Sequence, residues 1–234
     1  KNGGFVISAA IKKYVYVIVS DHFDDIIKLN YSKTELCSDY NKIQHPIFKN
    51  TLKFLKIPKH IEITSLADIP TNSGLGSSGS FTVGLLNSLS THIQKTLTKK
   101  SLAETAIDIE MKVAGEPVGK QDQYIASYGG FQCFTISKNG AVKVTPLKIS
   151  SESIRDLEHN LTFFYTGLTR KASSVLNDQK DSSKKESYSF DYFDSIKKIG
   201  YQTKKYLEND NLDEFGLLLN EHWKLKKKTS NKIS

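Results

Sequence analysis

Apolar, β-branched and aromatic residues crowd positions 5–19, interrupted by Lys12 and Lys13. That density fits strand structure, and the interruption predicts either two strands or one long bent one. A further strand is expected over 26–31. From His45 to Leu55 the apolar positions Ile47, Leu52 and Leu55 follow a helical spacing, and Pro46 suits the first turn. The alternation His60-Ile61-Glu62-Ile63-Thr64 predicts a strand over 59–65. After a Gly/Ser-rich stretch, Phe81, Leu85, Leu89 and Ile93 recur every four residues, which predicts a helix over 77–95. Ser101 and Glu104 form a capping-box signature ahead of Ile107, Ile109 and Val113, predicting a helix over 102–113 that Gly115 ends. A short helix over 120–128 leads through Gly129-Gly130 to a hairpin, 131–136 and 141–147, whose turn carries Asn139-Gly140. Composition shifts at Ser150–Ser153, so a boundary is expected there, dividing the chain into domains 1–150 and 151–234. Beyond it the pattern predicts a strand over 161–166, helix from Thr169 through a polar Lys- and Ser-rich stretch at 178–189, and helices over 192–208 and 212–228. No internal repeat is visible.

At 234 residues, 38% apolar and 25% charged, the composition is that of an ordinary globular protein able to bury a core. No apolar run approaches the roughly 18 residues that span a bilayer, so no membrane association is expected. The first residues lack an initiator Met and are followed by too short an apolar stretch for a signal peptide, so the chain reads as a piece of a longer protein. Cys37 and Cys133 lie far apart in unrelated contexts and are expected to be reduced thiols of a cytoplasmic protein. A net charge of +8 raises the question of nucleic acid. Only Arg155 and Arg170 are arginines, however, and arginine is the side chain suited to bidentate phosphate and base contacts. The lysine-rich field instead suits small anionic substrates.

The segment Pro70-Thr71-Asn72-Ser73-Gly74-Leu75-Gly76-Ser77-Ser78-Gly79 stands between a predicted strand and a long predicted helix. Glycines let backbone approach a polyphosphate with φ > 0, and the helix N-terminus offers free N–H groups and a positive dipole end. No Gly-Lys-Ser/Thr follows, which excludes a P-loop. The run from Gly74 to Gly79 formally matches GxGxxG. The acidic residue that a dinucleotide requires about 20 positions on is absent, because Thr98-Lys99-Lys100-Ser101 stands there. Downstream, Glu110 and Asp122 lie on a predicted helix–loop–helix that can fold back and bring two carboxylates to one cation, as phosphoryl transfer requires. Glu116 is expected to sit exposed in the loop between them. Lys120 could pair with Asp122 or a phosphate. The six histidines show no metal-ligand spacing.

Pro-x-x-x-Gly-Leu-Gly-Ser-Ser between a strand and a helix resembles the central motif of the GHMP kinases. The resemblance implies an α/β fold of that family: an N-terminal mixed-sheet βαβ domain plus part of a ferredoxin-like C-terminal domain. It implies ATP held by Ser73, Gly74, Leu75, Gly76, Ser77 and Ser78, Mg²⁺ held by Ser78 and Glu110, and Asp122 as catalytic base. The family usually carries Ala or Ser where this chain has Gly79, and the glycine is expected only to loosen the helix start. Phe81-Thr82-Val83-Gly84-Leu85-Leu86-Asn87, the stretch Gly119 to Ala126 with Gly129-Gly130-Phe131, and Thr166 to Ser173 are similar to D-glycero-D-manno-heptose 7-phosphate kinases. That similarity implies ATP-dependent phosphorylation of the anomeric hydroxyl for GDP-heptose and surface polysaccharide synthesis, with Gln123 and Arg170 as substrate contacts. The alternatives are a GHMP kinase for another sugar or sugar phosphate and a non-catalytic nucleotide binder. On the same resemblance, a substrate-positioning strand and loop should precede Lys1, and a C-terminal glycine-rich motif should follow Ser234.

Overall fold

A computed structural model describes residues 3–70, 73–113, 115, 119–164 and 188–229. The chain divides into two compact units, Ala10–Gly129 and a unit made of Lys1–Ala9 with Gly130–Ser234.

The Ala10–Gly129 unit is built on a four-stranded sheet. Its strands are β2 (Val15–Asp21), β3 (Ile27–Asn30), β4 (Thr34–Cys37) and β5 (Ile61–Ala67), with β1 (Gly4–Ala9) belonging to the other unit. The spatial order is β2-β5-β3-β4, antiparallel except for the β3–β5 pair, which is parallel. Helix α1 (Pro46–Leu55) makes the crossover that a parallel pair requires. Pro46 occupies its first turn as expected, and Lys56, left-handed at φ 58°, closes it by donating to the Leu52 carbonyl.

Register and pleat explain the core. Ile27 pairs with Ile61 and Leu29 with Ile63, so four buried β-branched and aliphatic side chains share one face. Phe48 and Leu52 of α1 close over them, with Leu85 and Leu89 of helix α2 (Ser77–His92). A fully buried Leu or Ile of this kind contributes roughly 1.5–3 kcal/mol. The opposite face carries polar pairs, with the Lys28 ammonium 3.1 Å from Glu62 and the Asn30 amide donating to Glu62 at 2.8 Å. The other side of α2 is apolar as well: Val83 and Leu86 pack against Leu102, Ala106 and Ile109. Helix α2 is therefore covered on two faces, which a single four-residue stripe did not anticipate.

Helix α3 (Lys99–Asp108) starts earlier than the capping box suggested. Thr98, not Ser101, is the N-cap, and its hydroxyl accepts from the Ser101 amide at 3.1 Å. Glu104 turns instead to helix α4 (Gln121–Tyr128), accepting from the Tyr124 hydroxyl at 3.2 Å. The end of α3 widens into a π-helical turn, Ile109–Val113, with Gly115 beyond it at φ 70°. Glu116 lies outside the described residues.

In the other unit, β1, β6 (Phe131–Ile136) and β7 (Val142–Pro146) form an antiparallel sheet in that order. The expected Asn-Gly turn joins β6 to β7, with Gly140 at φ 84°. Residues 5–19 thus form two separate strands, one in each unit. The compositional shift at Ser150–Ser153 is a helix start: Ser150 caps α5 (Ser151–Asn160), accepting from the Ser153 amide at 3.0 Å. The strand expected over 161–166 does not form across 161–164, and its last two residues lie outside the described ones. Helices α6 (Tyr188–Glu208) and α7 (Leu212–Lys227) complete the unit, whose core joins Cys133, Leu147, Leu157 and Leu207. Both cysteines are free and buried. Among the described residues, no helix is long and apolar enough to cross a membrane.

Candidate active site

Chain and helix geometry converge at the N-terminus of α2. Beyond β5, Gly74 and Gly76 both take left-handed backbone, at φ 82° and 71°, a conformation that L side chains disfavour. Gly76 is the N-cap of α2, and its carbonyl accepts from the Ser80 amide at 2.9 Å. No acidic side chain occupies the first turn, so its amides and dipole end remain available to an external anion. The Ser73 hydroxyl oxygen is buried without a hydrogen-bond partner. Thr71 and Asn72 lie outside the described residues.

Two carboxylates approach this helix end from other elements. Glu110, on the π turn that ends α3, is 1% exposed and accepts from the Ser78 hydroxyl at 3.4 Å. A π turn displaces side chains from ordinary α-helical register and is often found at functional sites. The Asn50 side chain of α1 fastens its far end, donating to the Val113 carbonyl at 3.3 Å. Burial pushes the Glu110 carboxyl above its usual range and the charge of Asp122 adds to the rise, while Thr82, Gln123 and Ser78 pull the other way without cancelling it. Its Oε1 atom is buried with no partner. A buried carboxylate oxygen in that state is costly. With a hydroxyl beside it, it makes the hard oxygen set that suits Mg²⁺.

Asp122 stands in the first turn of α4 and faces the loop directly. A Cβ built on Gly76 would lie 2.9 Å from the Asp122 carboxyl carbon and 3.2 Å from its Oδ1. Burial raises the Asp122 carboxyl as well. The Tyr124–Glu104 hydrogen bond ties α4 to α3, and the Lys99 ammonium donates to the Tyr128 carbonyl at 3.1 Å at its far end. Ser78, Glu110 and Asp122, separated by up to 44 positions in sequence, therefore surround one helix terminus.

Gln123 is also 1% exposed, and its carboxamide bears on Glu110 from inside the core, with Oε1 unpartnered. Arg170 lies outside the described residues. One expectation is corrected: Gly79 is buried against Asp122, and a Cβ there would fall 2.8 Å from the Asp122 Cβ, so the glycine does more than loosen the helix start. Sequence reasoning also missed Thr82. It is fully buried one turn beyond Ser78, where its hydroxyl donates to the Ser78 carbonyl at 3.0 Å. The i to i+4 spacing from Ser78 was the available signal.

A glycine-bent anion loop at a helix N-terminus, with one hydroxyl and two carboxylates around it, is the equipment of a phosphotransferase. Residues 41–130 match the family model for the GHMP kinases N terminal domain. Over those residues the chain is similar to the N-terminal domain of the GHMP kinases, which use ATP as phosphate donor and a hydroxyl group as acceptor. It is 26% identical over 246 residues to the D-glycero-alpha-D-manno-heptose 7-phosphate kinase of Campylobacter jejuni, covering 100% of this chain and 72% of that one. To the mevalonate kinase of Saccharolobus solfataricus it is 25% identical over 197 residues, which cover 82% of this chain and 58% of the relative. The crystal structure of a D-glycero-D-manno-heptose 1-phosphate kinase from Bacteroides thetaiotaomicron superposes with a TM-score of 0.79 at 24% identity, over 97% of this chain and 71% of that one. The fold is thus that of the GHMP kinases.

Proposed function

We propose that the chain carries the nucleotide-binding and catalytic machinery of a kinase that phosphorylates the anomeric C1 hydroxyl of D-glycero-D-manno-heptose 7-phosphate, giving the 1,7-bisphosphate for GDP-heptose synthesis in the cytoplasm. The observation that carries the kinase chemistry is the gathering of Ser78, Glu110 and Asp122 at the N-terminus of α2. The substrate rests on the motifs after the loop and around Asp122, and on the heptose 7-phosphate kinase similarity along the whole chain.

In this reading, residues Ser73 to Ser78 bind the ATP phosphates, with loop amides and the α2 dipole meeting the negative charge. Ser78 and Glu110 would hold Mg²⁺, which would offset the negative charge that develops on the phosphates. Asp122 orients the acceptor hydroxyl and receives its proton. The hydroxyl oxygen then forms a bond to the γ-phosphorus as the bond from that phosphorus to the bridging oxygen breaks, and ADP departs with the electron pair. The raised carboxyl of Asp122 suits a base, because proton affinity grows with pKa. Arg170 is retained as a substrate contact. Gln123 is retained as well, though its burial beside Glu110 suits support of that carboxylate.

Replacing Asp122 with Ala in the full-length protein is expected to lower turnover by about 10²–10⁴ while equilibrium binding of ATP persists. Near-normal turnover would remove the base assignment. The mevalonate kinase similarity, at nearly the same identity, supports a second reading in which the acceptor is another alcohol. Measuring ADP release with heptose 7-phosphate, heptose 1-phosphate, fucose, galactose and mevalonate separates the two. Preference for mevalonate or a free sugar would overturn the heptose assignment and leave the kinase reading standing.

A further inference from the structure

We propose that Thr82 is a positioning residue for Glu110: its hydroxyl, one turn of α2 beyond Ser78, holds the buried carboxylate toward the Ser78 hydroxyl, so that the two side chains meet a cation together. The proposal rests on the reading of Ser78 and Glu110 as cation ligands. Thr82 is fully buried, so it acts through its neighbours and not on nucleotide or sugar. Its hydroxyl donates to the Ser78 carbonyl at 3.0 Å, while the Ser78 hydroxyl donates to Glu110 Oε2 at 3.4 Å. The Thr82 hydroxyl is also within hydrogen-bonding reach of the Glu110 carboxylate, where it works against the effect of burial. One side chain thus touches both groups assigned to the cation.

A hydroxyl has a single proton, and here two acceptors compete for it. The Ser78 carbonyl lies inside α2 and already receives the Thr82 amide in the regular helical pattern, so the hydroxyl bond to it is surplus. Glu110, at 1% exposure, is the acceptor in need, and a carboxylate draws a donor more strongly than a carbonyl does. Rotation about the Thr82 C–O bond serves either acceptor without moving a heavy atom. The helix itself gives no reason for threonine, a poorer helix former than alanine or leucine. Ser90 makes the contrast within the same helix: it is also 1% exposed, and its hydroxyl has no hydrogen-bond partner. A buried hydroxyl on α2 is therefore not in itself a sign of a role, and contact with both ligands sets Thr82 apart.

Thr82→Val keeps the shape and removes the hydroxyl. In the full-length protein it should weaken Mn²⁺ binding to the ADP-saturated enzyme about 10- to 100-fold, the usual consequence of losing the partner behind a metal ligand. The EPR signal of free Mn²⁺ measures this without turnover. ADP affinity in EDTA should stay within about threefold of wild type, because the loop amides are untouched. Thr82→Ser keeps the hydroxyl and should bind Mn²⁺ within about threefold of wild type, as should Ser90→Ala. Should Thr82→Val fail to fold, Thr82→Ala also lacks the hydroxyl and is compared with Thr82→Ser in its place.

Mn²⁺ affinity within about threefold of wild type in the hydroxyl-free variant, beside a clear loss in Glu110→Gln, overturns this proposal alone. Equal weakening in Thr82→Ser and Thr82→Val overturns it too, because packing of the methyl group would then be the cause. Unchanged Mn²⁺ affinity in Glu110→Gln overturns the reading of Glu110 as a cation ligand and the proposal with it.

Discussion

Two buried glutamates in the Ala10–Gly129 unit stand in opposite states. Glu35, on β4 and 8% exposed, accepts from the Tyr31 hydroxyl at 2.7 Å, the Gln44 amide at 2.7 Å and the His45 amide at 3.3 Å. Burial alone would raise its carboxyl, yet these donors outweigh it and hold the group below its usual range. Tyr31 is correspondingly pushed up to about 12, by burial first and then by Glu35, so its hydroxyl stays a donor. Glu110, more deeply buried, has a long bond from Ser78 and an Oε1 with no hydrogen bond, and the polar groups of Thr82, Gln123 and Ser78 do not outweigh its burial, so its carboxyl is raised. Glu35 is complete within the fold and holds the segment before α1 in place. Glu110 keeps one buried oxygen without a hydrogen bond, which fits the proposed role as a ligand-binding group.

The comparison breaks most readily at Glu110. Glu110→Gln keeps the shape and removes the charge, so turnover should fall by roughly 10²–10³ while the ligand-free protein melts no lower than wild type. Steady-state kinetics and thermal melting of the same preparation decide it. A variant that loses melting temperature along with activity would place Glu110 beside Glu35 as a structural group.

Glu35→Ala should do the reverse. It leaves buried donors unmatched, a loss of about 2–3 kcal/mol, which for a chain of this size lowers Tm by roughly 4–12 °C. Turnover well below the transition should remain near wild type. A fall in turnover without loss of stability would show that Glu35 reaches the site.

The smallest effect is in the acid limb of stability. Glu35 has a lowered carboxyl, so below the ordinary value of 4.5 the unfolded chain binds more protons than the folded one. Its contribution is present above that value and is lost as pH falls through the folded pKa. Glu110 has a raised carboxyl, so its ionisation opposes folding as pH rises above 4.5. Urea unfolding between pH 3 and 7 should therefore show a shallower acid limb for Glu35→Gln and a relative gain toward neutral pH for Glu110→Gln, the two changes opposite in sign. Parallel curves for the two variants would erase the contrast.

Periodicity made much of the fold legible. Pro46 and the spacing of Ile47, Leu52 and Leu55 marked α1, and Asn139-Gly140 marked the hairpin of β6 and β7. Elsewhere short or polar segments misled. Thr34–Cys37 is a four-residue strand whose signal is too short to separate from a loop. Ser150–Ser153, where the compositional shift suggested a boundary, also holds the serine cap and first turn of α5, because caps and boundary segments use the same small polar residues. Ser101 and Glu104 fitted a capping box, but the Thr98 hydroxyl reached the orphan amide first.

The residue types at 73–79, with Glu110 and Asp122 at their spacing, were written in the sequence. They specified an anion loop and two acids, because local backbone needs and charge are properties of single residues. Only the tertiary structure decided which groups meet. The π turn brings Glu110 to Ser78, burial withholds a partner from its Oε1, and α4 presses Asp122 into the space left by Gly76 and Gly79. Those outcomes depend on distances between helices, and no helix encodes by itself how closely its neighbour can come.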